Sequence, residues 1–117
     1  MNREMIPLEL LDENGYPTEE VLSFLRGYYP SPSFNILSFV IFIRDCIWNN
    51  DCGRFELSKR KRSGIYALTA MTGGWSGNED IIRAIQDNRN IAFNAMFRHI
   101  AWKFGGYYKY EIRTNLK

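Results

Sequence analysis

Cysteine and histidine are scarce in this 117-residue chain, with two of the first and one of the second. Cys46 and Cys52 form no CxxC pair, and with only His99 beside them a Cys/His zinc site within one chain lacks ligands. A disulfide between the two would close a tiny loop in a domain that already has a core, so reduced thiols and an intracellular setting are expected. Long apolar runs are missing as well. The greasiest stretch, residues 34–48, is interrupted by Asn35, Ser38, Arg44 and Asp45 and is too short to cross a bilayer. Residues 1–11 carry three charges and no apolar run of signal-peptide length, so a soluble cytoplasmic protein without membrane contact is expected. Catalytic signatures are absent too: no HExxH, no paired-carboxylate motif, and no Ser or Cys at elbow spacing. No cofactor or metal is implied.

What is present suits a single domain spanning residues 1–117. The chain is 45% hydrophobic, 15% aromatic and 24% charged, which excludes a disordered tail or low-complexity linker. A chain of this length buries about two thirds of its unfolded surface and holds itself without a staple. The net charge of +2 is unevenly spread. Residues 1–20 hold Glu4, Glu9, Asp12, Glu13, Glu19 and Glu20 against Arg3, whereas residues 21–117 hold 14 basic and 7 acidic side chains. Such a split can steer a partner, but it is not the basic face of a dedicated nucleic-acid binder.

Local patterns predict an α+β fold. Residues 5–12 have a short apolar rhythm that suits an edge strand or an extended arm, and Asn14-Gly15 before Pro17 is turn chemistry. Thr18 is a good N-cap, with Glu19 and Glu20 at the positive end of a helix dipole and Val21, Leu22 and Leu25 as its buried stripe. Gly27 and Pro30 stop that helix. Ser33 is read as the cap of a second helix over 34–49; its β-branched content leaves a strand over 37–43 open, and length favours the helix. Alternation predicts a strand over 53–59, a turn through 60–64 and an antiparallel partner over 65–71. Ser76 and Glu79 have capping-box spacing, so a helix is expected from there to about Asn88, burying Ile81, Ile82 and Ile85. From Ile91 the apolar residues alternate and then shift phase, which predicts a strand bulged near Arg98 and His99, with a helix over 91–101 as the rival. Gly105-Gly106 reads as a two-residue hairpin turn returning through residues 107–112. The order is ααββαββ: a four-stranded antiparallel sheet with helices on one face.

Several groups can carry chemistry. The glycine loop of residues 72–79 leads from a strand into a helix N-terminus, where backbone N–H groups meet anions, but no Lys follows the glycines and GxGxxG is absent. Trp75 in that loop is a core plug or, if exposed, a binding hot spot. Lys59, Arg60, Lys61 and Arg62 form a basic run at a hairpin tip, suited to solvent, to an acidic protein surface or to a phosphate backbone. Trp102, Phe104, Tyr107, Tyr108 and Tyr110 bracket the Gly-Gly turn, with Tyr108 and Tyr110 on one face and Tyr107 and Lys109 on the other. Most of these rings suit cross-strand packing; a face of them flanked by Lys103, Lys109 and Arg113 can also stack bases, although the RNP signature is missing. Acid–base chemistry near neutral pH would have to lean on His99, the single imidazole, or on a perturbed carboxylate.

The segment Thr72-Gly73-Gly74-Trp75-Ser76-Gly77-Asn78-Glu79, the Ile-rich helix after it, the closing Gly105-Gly106-Tyr107-Tyr108 hairpin and the opening Leu11 to Glu20 (LDENGYPTEE) together resemble a family of short, uncharacterised proteins of bacteriophages and prophages. In that family an Arg usually precedes the Gly-Gly turn, where this chain has Phe104. The resemblance implies a phage context in a bacterial host cell rather than an activity. Small phage proteins of this size often bind a host protein and block it, as anti-CRISPR inhibitors do. The expectation is therefore a non-catalytic inhibitor of a host protein or protein–nucleic-acid complex, using Lys59, Arg60, Lys61, Arg62, Trp75, Asn78, Tyr107, Tyr108 and Tyr110. The alternative is a nucleic-acid or nucleotide-binding accessory protein that uses the glycine loop and the tyrosine strand.

Overall fold

A computed structural model describes residues 6–60, 64–92, 94, 96–103 and 105–114. Helix α1 (Glu19–Gly27) begins as expected: the Thr18 hydroxyl accepts the Val21 N–H at 3.1 Å, and Val21 and Leu25 are fully buried. The same hydroxyl donates to the Glu9 carbonyl, tying the arm before the helix to the cap. That arm is not a strand. Asp12 gathers the Asn14 and Tyr16 N–H groups on its carboxylate, Gly15 turns at φ +85°, and only Leu11 and Pro17 form an isolated bridge.

Helix α2 (Ile36–Phe42) starts later than the sequence suggests. Pro30 and Pro32 stiffen a turn in which Ser31 pairs with Phe34, so Asn35 rather than Ser33 is the cap and accepts the Ser38 N–H at 2.9 Å. The helix widens into a π-helical turn over Ile43–Ile47, closed by Trp48 N–H on the Ile43 carbonyl at 2.9 Å. Ile43 and Ile47, at the two ends of that turn, are both buried. Phe24, Tyr28, Phe34, Phe39 and Phe42 interlock around α1 and α2, with Tyr28 stacked on Phe39 at 3.9 Å.

Four antiparallel strands, β1 (Arg54–Lys59), β2 (Ile65–Met71), β3 (Phe97–Lys103) and β4 (Tyr107–Arg113), form one sheet in the order β1-β2-β4-β3. Helix α3 (Ser76–Asp87) and the single turn α4 (Arg89–Ala92) connect β2 to β3. The order ααββαββ is the one the patterns predict, except that residues 91–101 divide between both readings. Asn88 accepts the Asn90 and Ile91 N–H groups and caps α4, and the strand starts only at Phe97. Its register slips between His99 and Ala101, next to the expected bulge. Lys103 pairs with Tyr107, so three residues rather than two close the β3–β4 hairpin.

All helices lie on one face of the sheet. Phe55, Leu68, Ala70, Phe97, Tyr110 and Ile112 point into the core with Ile81, Ile82 and Ile85 of α3. Ser76 is the first residue of α3 and not its cap. Trp75 holds the cap position and makes no side-chain cap bond, since an indole carries no acceptor; its carbonyl takes the Glu79 N–H instead.

Candidate functional site

The end of the sheet where β2 leaves and the β3–β4 hairpin turns is closed by backbone packing. Thr72 is fully buried; its N–H meets the Gly106 carbonyl at 2.9 Å, its hydroxyl accepts the Gly74 N–H, and its carbonyl takes the Trp75 N–H. Gly73, at φ +68°, sits so close to the Cys52 carbonyl that a Cβ would lie 1.6 Å from its oxygen. The Gly74 and Trp75 amides of the glycine loop are thus engaged within the loop itself.

Asn78 belongs to this closure. It is 0% exposed: its Oδ1 accepts the Asn49 N–H at 3.0 Å, and its Nδ2 donates to the Asn49 and Thr72 carbonyls. A side chain so occupied links the end of α2, the loop and α3, and it offers no group to a partner. Trp75 is half-buried, its ring 4.6 Å from that of Tyr16 and folded over Gly77, where a Cβ would lie 2.2 Å from the indole. The N-terminal arm therefore covers one side of the indole.

The three tyrosines separate by strand alternation. Tyr110 is buried at 3% exposure, with its ring stacked between neighbours Phe97 and His99. Burial also raises its hydroxyl above the usual tyrosine range, so it stays neutral. Tyr108 is half-buried against the same core. Neither presents an open ring to a base. Tyr107 points the other way, to the face without helices.

That second face is the broad surface the fold leaves open. The register aligns Arg54 with Met71 and Tyr107, Glu56 with Thr69 and Lys109, and Ser58 with Ala67 and Glu111, while Ile65 meets Arg113 and Arg98 meets Glu111. None of these side chains joins the hydrophobic core cluster. Met71 and Tyr107 form an apolar patch at one end. Arg54 pairs with Glu56 at 2.9 Å, and Glu111 receives both Arg98 at 3.5 Å and Arg113 at 3.3 Å.

Lys59 and Arg60 stand exposed at the opposite end of the sheet from Trp75 and Tyr107. Lys61, Arg62 and Phe104 lie outside the described residues, as does the Trp102 ring. The structure thus gathers Trp75, Asn78 and the β3–β4 turn at one end and leaves the basic tip at the other. His99 is exposed on edge strand β3, stacked on Tyr110 at 4.8 Å, and no group of three or more His, Cys, Asp or Glu able to hold a metal occurs among the described residues. No described helix is long and apolar enough to cross a membrane.

Sequence reasoning missed three polar side chains that organise the fold: Thr72, Asn49 and Asn88. Asn88 is fully buried and donates to the Leu25 and Tyr28 carbonyls, locking the end of α1 to α4. A single Asn between two helical segments is a visible cap signal, but its second role depends on a helix about sixty residues away. Comparison with known protein families, with curated proteins and with solved structures finds no match for this chain.

Proposed function

We propose that this chain is a non-catalytic, phage-derived binding protein that docks onto a host macromolecule and inhibits it, with a protein of the bacterial defence machinery as the target. The observation that carries this reading is the uncovered sheet face, with Met71 and Tyr107 beside Arg54 and Lys109 at one end and Arg98 and Arg113 toward the other. Tyr, Met and Arg are the side chains that interface centres favour, and a backbone held in a four-stranded sheet presents them with little ordering cost. The phage context rests on the resemblance of residues 11–20 and 72–79.

Charge pairing favours a protein over a nucleic acid as the partner. Arg54, Arg98 and Arg113 already face Glu56 and Glu111 on this surface. A phosphate backbone would have to displace or sit beside those carboxylates, whereas a protein surface of mixed charge can exchange pairs with them. The exposed Arg60 extends the contact at the far end.

The test is a tagged pull-down from nuclease-treated bacterial lysate, comparing wild type with an Arg54→Glu/Tyr107→Ala double variant. One host complex enriched by wild type and lost from the double variant is the expected result. Equal capture by both removes the open face from the reading. Capture that disappears with nuclease, together with a mobility shift that fades with salt, replaces it with the nucleic-acid alternative.

A further inference from the structure

We propose that the outer edge of β1 accepts an extended peptide of a partner protein as an added antiparallel strand, with an acidic residue opposite Arg54 and a basic one opposite Glu56. Backbone hydrogen bonds fix which groups face outward. The Arg60 N–H donates to the Ile65 carbonyl at 2.8 Å, and this pair continues the register in which Ser58 meets Ala67, Glu56 meets Thr69 and Arg54 meets Met71. In an antiparallel ladder the bonded pairs recur at every second residue, so residues 54, 56 and 58 bond to β2. The N–H and carbonyl groups of Phe55, Leu57 and Lys59 therefore point away from the sheet, and no described residue bonds to them.

The two edges of the sheet differ. Edge strand β3 slips in register between His99 and Ala101, a break that spoils it as a template for a further strand. Strand β1 keeps one register from Arg54 to Lys59. A cleft of about 470 Å³ is lined by residues 50–56 and by no residue of β2, which places it on the outer side of β1. That side is thus open along the first half of the strand.

Charge decides what kind of strand fits, and a second copy of β1 fits poorly. Pairing about Glu56 sets that carboxylate against its own copy, and pairing about Leu57 sets Arg54 against Arg60; these are the two antiparallel registers with the longest overlap. Like charges directly opposite destabilise a pair of strands. A foreign strand with the signs reversed meets both Arg54 and Glu56 with opposite charge. These two side chains are 69% and 57% exposed, and an ion pair so exposed is worth little, so exchanging it for cross-strand pairs costs little. On the helix-covered side Leu57 is only partly buried, and an apolar residue opposite it extends the cover of the core. The edge borders the open sheet face, but the inference does not depend on the function proposed above, because pairing with a model peptide needs no host target.

The acetylated and amidated peptide TTVKVET supplies such a strand. Laid antiparallel, its lysine falls opposite Glu56, its glutamate opposite Arg54 and its two valines opposite Leu57 and Phe55. Titrated into the ¹⁵N-labelled full chain, it should give saturable NMR shifts led by the Phe55, Leu57 and Lys59 amides, slow their hydrogen exchange, and change residues 54, 56 and 58 less. N-methylation of both valines removes the donors that face β1 and should weaken binding about tenfold. Exchange of the two charges (TTVEVKT) should weaken it about threefold. Lys59→Pro deletes one outward donor, leaves the ladder to β2 in place, and should weaken binding about fivefold. Absence of saturable shifts at these amides up to about 1 mM peptide overturns the proposal. Equal affinity for the N-methylated peptide does so too. The same shifts on concentrating the protein alone would make a second copy the occupant and overturn the assignment to a partner.

Discussion

At one end of the sheet Thr72, Gly73 and Gly106 pack closely and the Asn78 side chain ties them to α3, whereas at the other Lys59 and Arg60 stand in solvent at the end of the β1–β2 ladder. Both ends are turns, and both looked like binding loops by composition. They differ in where their polar groups go. The glycine-rich end pairs its carbonyls and amides internally through Thr72 and Asn78, so these residues serve the fold. The basic end satisfies its charges with water, which leaves them available to a partner. Glycine content thus marks close approach here: a Cβ on Gly73 would meet the Cys52 backbone and one on Gly106 the Thr72 side chain.

The sharpest way to break this contrast is Asn78→Ala. It leaves the Asn49 N–H without its partner and strips one of two donors from each of the Asn49 and Thr72 carbonyls, and should cost about 2 kcal/mol in urea denaturation. A loss near zero would mean that the closed end does not depend on Asn78.

Alkaline pH attacks the closed parts next. Tyr28 and Tyr110 are held above the ordinary tyrosine value of 10.0 by burial, so the folded state keeps protons that the unfolded chain gives up. Stability should be unaffected by these groups below pH 10 and fall as pH rises beyond it, by at most about 1.4 kcal/mol per pH unit for each tyrosine. Urea titrations between pH 9 and 11 check this, and Tyr28→Phe should blunt the slope.

Gly77→Ala forces the Trp75 ring off its seat over the helix start. Loss of the Tyr16 contact should cost about 1 kcal/mol, partly offset by the better helix propensity of alanine, and shift the Trp75 indole NMR signal. The smallest effect belongs to the open end. Replacing Lys59 and Arg60 by Ala should change stability by less than about 0.5 kcal/mol in the same urea assay. A larger loss there would erase the distinction between the two ends.

Much of the fold was legible because its signals are local. Thr18 before two glutamates, Phe55 and Leu57 in alternation, and the three isoleucines of α3 each report their element within a few residues. Boundaries failed where a neighbour in space supplied the cap. Ser76 and Glu79 had the right spacing, but the Trp75 carbonyl takes the Glu79 N–H, which starts the helix one residue earlier. Residues 91–101 misled because Asn88 nucleates one helical turn before the strand begins. The candidate site was less legible than the fold. Alternation sorted Tyr107 from Tyr108 and Tyr110, but it could not say which face the helices would cover.

By itself, the sequence determined the element types and their antiparallel pairing, since periods of 3.6 and 2 and glycine-permitted turns act between near neighbours. Only the tertiary structure decided that Asn78 and Tyr110 are buried while Met71 and Tyr107 lie on the uncovered face. Burial is set by segments distant along the chain: Asn49 and Thr72 meet Asn78, and Phe97 meets Tyr110, only once the sheet and the helices have closed on one another.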